Sequence, residues 1–347
     1  MPDASLYDYI EAQRLAFGKD LTIVGHHYQD DEVIRHTDLR GDSLELARKT
    51  AQVDSKYVMF CGVYFMAESA ALLARQGQNV YLPEPSADCS MAMMSPASLL
   101  DKIMGILTRK GRKVIPLAYV NSTLGVKAMV GSYGGAVCTS ANASTMLTWA
   151  RGQGDAVLFL PDKNLGNNTA DQLGISELNR HVLSLKGQGA NIDLAMADRA
   201  ELLLWPGFCS IHTRFTLRQI DRIRSEYPDA RVIVHPECTP EVVKAADAAG
   251  STSFIIRYVT EAPQGSTIVI GTEINLVERL AREHRDRVTV LPLVESACTH
   301  MAQTTEERLG NALKALSEGS KTFLVQVDDA LKAPARASLE RMLAACA

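Results

Sequence analysis

Short apolar, β-branched runs recur along the chain. Each closes in a polar or Gly/Pro-rich loop, and most are followed by a stretch of helical period, as expected for buried parallel strands alternating with helices. The clearest runs are 21–25, 57–61, 80–82, 114–118, 136–138, 157–160, 232–234, 254–256, 267–270 and 288–291, with a weaker one at 202–205. This alternation predicts an α/β architecture with helices on both faces of parallel sheets. Cap residues agree: Asp42 precedes Ser43-Leu44-Glu45, Thr139-Ser140 precedes 141–150, and Thr239 is followed by Pro240 at a first helical position.

In open parallel sheets, ligands bind beyond the carboxyl ends of the strands, where helix N-termini present free N–H groups that favour anions. Polar clusters stand at these ends. Gly25-His26-His27-Tyr28-Gln29 follows the first run, Tyr119-Val120-Asn121-Ser122 the fourth, and His235-Pro236-Glu237-Cys238 the run at 232–234. Alternation puts Tyr119 and Asn121 on one side of an extended end. Ser43, Ser140 and Thr252 stand at expected helix starts, suited to capping or to anion binding. Cys209-Ser210-Ile211-His212 places a thiol near an imidazole. The runs also fall into three sets, and each set closes on a cysteine, Cys89, Cys209 and Cys298. Three similar α/β domains that each lend one cysteine to a shared centre would account for this.

Composition narrows the chemistry. With 347 residues the chain is long enough for two or three domains, and 36 basic against 40 acidic residues leave no basic footprint for nucleic acid. No run reaches the length of a membrane span, and the first residues lack a signal-peptide pattern, so a cytosolic protein is expected. Seven widely separated cysteines argue for metal ligands or buried thiols rather than a disulfide framework. A zinc site from His235, Glu237 and Cys238 is conceivable, but no HExxH or CxxC spacing supports it, and neither a Walker-A nor a GxGxxG pattern follows a strand.

The ordered strings GHHYQ, RGDSLELAR, YLPEPSADCSMA, AYVNST, VCTSANA, PDKNLG, WPGFCSIHTRF, HPECTPEV, GSTSFIIRYV and GTEINLVERLA resemble quinolinate synthase over about residues 21–301. The resemblance implies three α/β/α domains with parallel sheets in pseudo-threefold arrangement around a central 4Fe-4S cluster. That cluster, one per chain, would be held by Cys89, Cys209 and Cys298, with one open iron acting as a Lewis acid. Expected domains are 1–95 plus 303–347, 96–210 with an insert near 176–201, and 211–302. The implied reaction condenses iminoaspartate with dihydroxyacetone phosphate to quinolinate in NAD biosynthesis. Proton transfer would fall to Glu237, His235, Tyr28 and His212. Substrate binding would fall to His26, Ser43, Tyr119, Asn121, Ser140 and Thr252, together with His235 and Glu237. Transient contact with an L-aspartate oxidase or aspartate dehydrogenase would supply the imine.

The chain departs from the family pattern at Ala302, where a lysine is usual, in a longer stretch from Gly131, and in the insert, where helical period over 177–185 suggests an extra helix or flap. The competing expectation is a zinc or Schiff-base aldolase acting on a ketose phosphate, built on the same His and Glu clusters.

Overall fold

The computed structural model describes residues 3–346. The first sheet contains β1 (Leu21–His26), β2 (Leu39–Gly41), β3 (Tyr57–Cys61) and β4 (Asn79–Tyr81), in the order β2-β1-β3-β4. The second contains β5 (Val114–Tyr119), β6 (Ala136–Cys138), β7 (Ala156–Leu160), β8 (Arg180–Val182) and β9 (Leu202–Leu204), in the order β6-β5-β7-β9-β8. The third contains β10 (Arg231–Val234), β11 (Ala248–Ala249), β12 (Thr267–Gly271) and β13 (Thr289–Pro292), in the order β11-β10-β12-β13. All these strand pairs are parallel.

Without the edge strand β8, each unit orders its strands second, first, third, fourth, so the expected class of three similar α/β/α units is what this chain builds. The central strands are uninterrupted apolar runs because helices cover both faces of each sheet. β5 and β7, for example, are buried along their whole length. Among the described residues no helix is long and apolar enough to cross a membrane.

Two local expectations are corrected. Residues 254–256 are not a strand but lie within the helix Thr252–Glu261, and the short second strand of that unit is β11. The run Phe254-Ile255-Ile256 has no period of its own. The Ser251 hydroxyl accepts the Phe254 N–H at 3.3 Å, and Ile255 and Val259 then bury one helical face. The insert is not an extra long helix either. Residues 180–182 form β8, and Leu183 N–H donates to the Leu204 carbonyl at 2.9 Å to continue the ladder beside β9. Leu178 and Val182, one helical turn apart, are both exposed, so the apparent period over 177–185 is not a buried stripe. One short helix, Leu194–Arg199, closes the segment.

The C-terminal residues are divided between units. The helix Glu306–Ser317 packs on the first helix, Asp3–Phe17, whereas Asp329–Ala345 packs across the helix Leu124–Ser132 and β6 of the second unit. Arg341 secures that contact by donating to the carbonyls of Gly131 (3.0 Å) and Gly135 (2.6 Å). The two helices approach so closely at Gly131 that a Cβ there would collide with the Pro334 carbonyl. Gly105, exposed in the helix Ala97–Leu107, has open space around the same position. Gly131→Ala is therefore expected to destabilise by roughly 1–3 kcal/mol, while Gly105→Ala stabilises by roughly 0.5–1 kcal/mol. Urea unfolding midpoints that move in the same direction for both variants would contradict this packing.

Candidate active site

The pocket is assembled by repeating one backbone scheme three times. His26 and Tyr119 end the first strands of their units and His235 stands one residue past the first strand of the third; two residues on come Tyr28, Asn121 and Glu237. On the neighbouring strand, His26 is in register with Gly41 and Tyr119 with Cys138, while Val234 is in register with Ala249. Ser43, Ser140 and Thr252 lie just beyond those partners. All nine side chains line one pocket, with Cys89, Cys209, Cys298 and His212. The structure thus brings together the residues to which the resemblance assigned proton transfer, substrate binding or the cluster, while His27, Gln29 and Cys238 do not line this pocket.

The cysteines arrive by an equally regular device. The residue that opens the helix after each third strand donates its N–H to the carbonyl two residues before the cysteine. The pairs are Tyr64 to Ala87 (2.8 Å), Lys163 to Gly207 (3.0 Å) and Ile274 to Ser296 (3.0 Å). Burial, followed by the neighbouring Cys298 and Glu237, pushes the Cys89 thiol up to about 12, and burial raises Cys209 and Cys298 in the same direction. Of the remaining cysteines, Cys61 and Cys138 are core thiols. Cys238 packs inside the third unit with its Sγ 3.9 Å from the Gly271 carbonyl, so it does not join His235 and Glu237 as a zinc ligand. Cys346 accepts from Asn142 Nδ2 at 3.3 Å.

Glu237 is the electrostatic centre. Its Oε2 lies 2.9 Å from His212 Nδ1, and the His212 ring stacks on His235 with centroids 4.3 Å apart. Burial pushes this carboxyl up, but His212 and His235 outweigh burial and hold it below the ordinary carboxylate range, helped by the Tyr119 phenol. The second unit clasps the turn that carries it. Asn164 Nδ2 donates to the Glu237 carbonyl at 3.3 Å, and Asn168 Nδ2 donates to the carbonyls of Pro236 and Cys238, each at 2.8 Å. Beyond His212 a hydrogen-bonded chain crosses to the first unit: His212 Nε2 lies 3.2 Å from Thr272 Oγ1, which lies 2.8 Å from Tyr28 Oη. Thr252 Oγ1 donates to the same phenol at 3.2 Å.

His26 and His235 share a local motif. Each Nδ1 accepts the backbone N–H two residues on, from Tyr28 at 3.1 Å and from Glu237 at 3.4 Å, which favours the neutral ring with the proton on Nε2. Burial, then the neighbouring His27, His235 and Arg279, hold His26 down to about 3. Burial and His212 do the same for His235.

The caps at Asp42 and Thr239 are as expected, whereas the helix starts near Ser140 and Thr252 differ from expectation. Asp42 Oδ1 caps its helix by accepting from Glu45 N–H at 3.0 Å, and Ser251 caps the helix that starts at Thr252. The third of these helices begins at Ala143, not 141. Asn142 Oδ1 instead folds back on the Thr139 N–H at 2.7 Å, which leaves Ser140 in the turn with its hydroxyl facing Tyr119. None of Ser43, Ser140 and Thr252 is itself the cap residue, and each stands beside the pocket.

Sequence reasoning assigned no role to Asn164, Asn168, Thr272 or Asn275, nor to Arg279, which donates to the carbonyls of His27 (2.7 Å) and Gln29 (2.5 Å). The signal for Asn164, Thr272, Asn275 and Arg279 lay in the strings PDKNLG and GTEINLVERLA, and Asn168 stands two residues past the first of them. His300 was also missed. It lines the pocket with a buried Nδ1 that has no partner, as does Asn121 through its Oδ1.

Fold and pocket together define a class: a three-unit α/β protein that gathers one thiol from each unit beside a buried carboxylate–imidazole pair. The chain belongs to the quinolinate synthetase A protein family, whose model matches residues 10–344. It is 42% identical to quinolinate synthase of Acidobacterium capsulatum, covering 99% of this chain and 94% of that protein. The quinolinate synthase of Corynebacterium glutamicum is 42% identical, over 98% of this chain and 88% of its own length. That of Bacillus pumilus is 44% identical, over 94% and 89%.

The buried imidazoles have a consequence for stability. In the folded chain His26 and His235 stay neutral down to about pH 3. In the unfolded chain they protonate near their ordinary value of about 6.5. Between those values the unfolded state binds more protons, so stability present above pH 6.5 is lost as pH falls toward 3. The slope reaches about 1.4 kcal/mol per pH unit for each imidazole. Urea unfolding between pH 4 and 7 should show a shallower slope for His26→Asn than for the parent chain, and equal slopes would contradict the assignment.

Proposed function

We propose that this pocket condenses iminoaspartate with dihydroxyacetone phosphate to give quinolinate, inorganic phosphate and two waters. Family membership supports the reading, as does one observation above the rest: a thiol from each of the three units meets at a pocket that also holds Glu237. A 4Fe-4S cluster is the group such a centre would take. The donor set fits it, since Cys89, Cys209 and Cys298 are free thiols on three separate loops, and soft thiolates are the ligands iron–sulfur clusters require. These three would hold the cluster. When bound, it supplies Lewis acidity at the iron that has no cysteine.

The chain's own residues supply binding and proton transfer. Both substrates are anions, yet among the described residues no lysine or arginine lines the pocket. Anion binding therefore falls to the helix starts at Ser43 and Thr252, to the turn at Ser140 and to the imidazoles of His26 and His235. Asn121, whose buried Oδ1 lacks a partner, accepts from a substrate N–H or O–H, and Tyr119 orients the same molecule. Glu237 is the general base that removes a proton at carbon. The chain through His212 and Thr272 returns that proton at the Tyr28 phenol. Burial raises the Tyr28 pKa, so the phenol keeps its proton and can donate it to a departing hydroxyl. The imine is unstable in water, so transient contact with an L-aspartate oxidase or aspartate dehydrogenase in the cytoplasm belongs to the same reading.

One observation favours a second reading. Donor atoms of Cys209, His212 and Glu237 lie within 4.8 Å of one another, a set that a single zinc ion could bridge in an aldolase. The Schiff-base form of that reading finds no lysine among the described pocket residues.

Anaerobic purification should give brown protein with about four irons per chain. Serine at Cys89, Cys209 or Cys298 should abolish iron binding, whereas serine at Cys61, Cys138, Cys238 or Cys346 should spare it. Glu237→Gln should keep its iron and lose roughly 10²–10⁴-fold in turnover. Colourless, zinc-loaded protein that forms quinolinate would overturn the proposal.

A further inference from the structure

Asp162 and Glu273 are fully buried carboxylates that the roles above leave unused. Each stands two residues past the third strand of its unit and caps the helix that follows. Each also has a second partner. Asp162 Oδ1 accepts the N–H groups of Asn164 (2.7 Å) and Leu165 (2.9 Å), while its Oδ2 accepts the backbone N–H of Cys209 at 3.1 Å. Glu273 Oε2 accepts the Asn275 N–H at 2.9 Å, while its Oε1 accepts the backbone N–H of Cys298 at 3.4 Å. In the first unit the corresponding residue is Val63, which has no acceptor to offer.

We propose that Asp162 and Glu273 are positioning residues for the thiol centre: each carboxylate fixes the backbone of one cysteine and so sets the direction of its thiol, while the Cys89 corner is held without one. The inference rests on the cluster reading above and deepens it. A buried carboxylate is retained at such a place only where donors satisfy it, and here a cysteine N–H is one of those donors. Outer partners of this kind orient ligands and tune the metal they hold. The asymmetry also follows: the corner with Val63 has the greatest freedom to adjust as a cluster enters.

Asp162→Asn separates this role from simple capping. Asparagine caps helices as well as aspartate does. With its amide oxygen on Asn164 and Leu165, its NH2 group faces the Cys209 N–H, donor against donor. Asp193→Asn, at the cap of the remote helix Leu194–Arg199, is the matched control. The whole chain would be loaded anaerobically, and release of iron to a chelator, the EPR spectrum of the reduced protein and the melting of the iron-free form would be recorded.

The expected result is iron loss roughly 10–100-fold faster in Asp162→Asn, with an altered EPR line shape that a loss of stability alone does not produce; the buried donor pair also lowers the melting of the iron-free form, while Asp193→Asn behaves as the parent. Should Asp162→Asn fail to fold, Glu273→Ala carries the same test to the Cys298 corner. A parent chain that loads normally beside variants with parental release and spectrum would overturn this inference alone. A parent chain that takes up no iron would overturn the cluster reading and this inference with it.

Discussion

Three backbone hydrogen bonds, from Tyr64 to Ala87, Lys163 to Gly207 and Ile274 to Ser296, tie the loop after each fourth strand to the helix after each third strand. The loops themselves differ in length: Cys89 follows a strand ending at Tyr81, Cys209 one ending at Leu204, and Cys298 one ending at Pro292. Loop length therefore cannot place the thiols. The anchor can, because in every unit the cysteine comes two residues after the anchored carbonyl. Parallel strands point all their carboxyl ends the same way, so three units facing one another bring three anchored loops to a single centre.

The same centre must hold a buried acid close to anionic substrates, and among the described residues no lysine or arginine at the pocket wall eases that conflict. The imidazoles of His212 and His235 and the Tyr119 phenol stabilise Glu237 as an anion, and the Asn164 and Asn168 amides grip the main chain at Glu237 and on either side of it. A carboxylate held this low is a weak base in the free protein. An anionic substrate beside it works in the opposite direction, since a nearby like charge raises a carboxyl pKa. In the role proposed for it, Glu237 thus gains strength as a base when a substrate is present.

What was legible in the sequence follows from which forces are local. The parallel strands declared themselves because burial on both faces leaves uninterrupted apolar runs, and the pocket residues because His, Tyr, Asn and Glu at strand ends serve no core. Resemblance to a family then selected three cysteines from seven. The run Phe254-Ile255-Ile256 misled because three apolar residues suit a strand and a helix alike, and the Ser251 cap decided between them. Residues 177–185 misled because their spacing was helical while their exposure was not. The roles of Asn164, Asn168, Thr272 and Arg279 were hidden for another reason. Asn164, Asn168, Thr272 and Arg279 act across the contacts between units, and no local pattern records a partner tens or hundreds of positions away in the chain.

Repetition of one scaffold explains how a single pocket comes to hold several kinds of chemistry. At or just past the first-strand ends the three units place His26, Tyr119 and His235, and two residues on they place Tyr28, Asn121 and Glu237. Strand order and sequence offset are alike in the three units, so the side chains decide most of what each unit contributes. The first offers a phenol, the second an amide beside a phenol, and the third a carboxylate between imidazoles. A one-sheet enzyme must draw all its polar groups from one row of strand ends, where neighbours crowd and like charges repel. Three short rows meeting at their ends let an acid, a base and three thiols share a centre, while each is held by its own turn, its own cap and its own helix start.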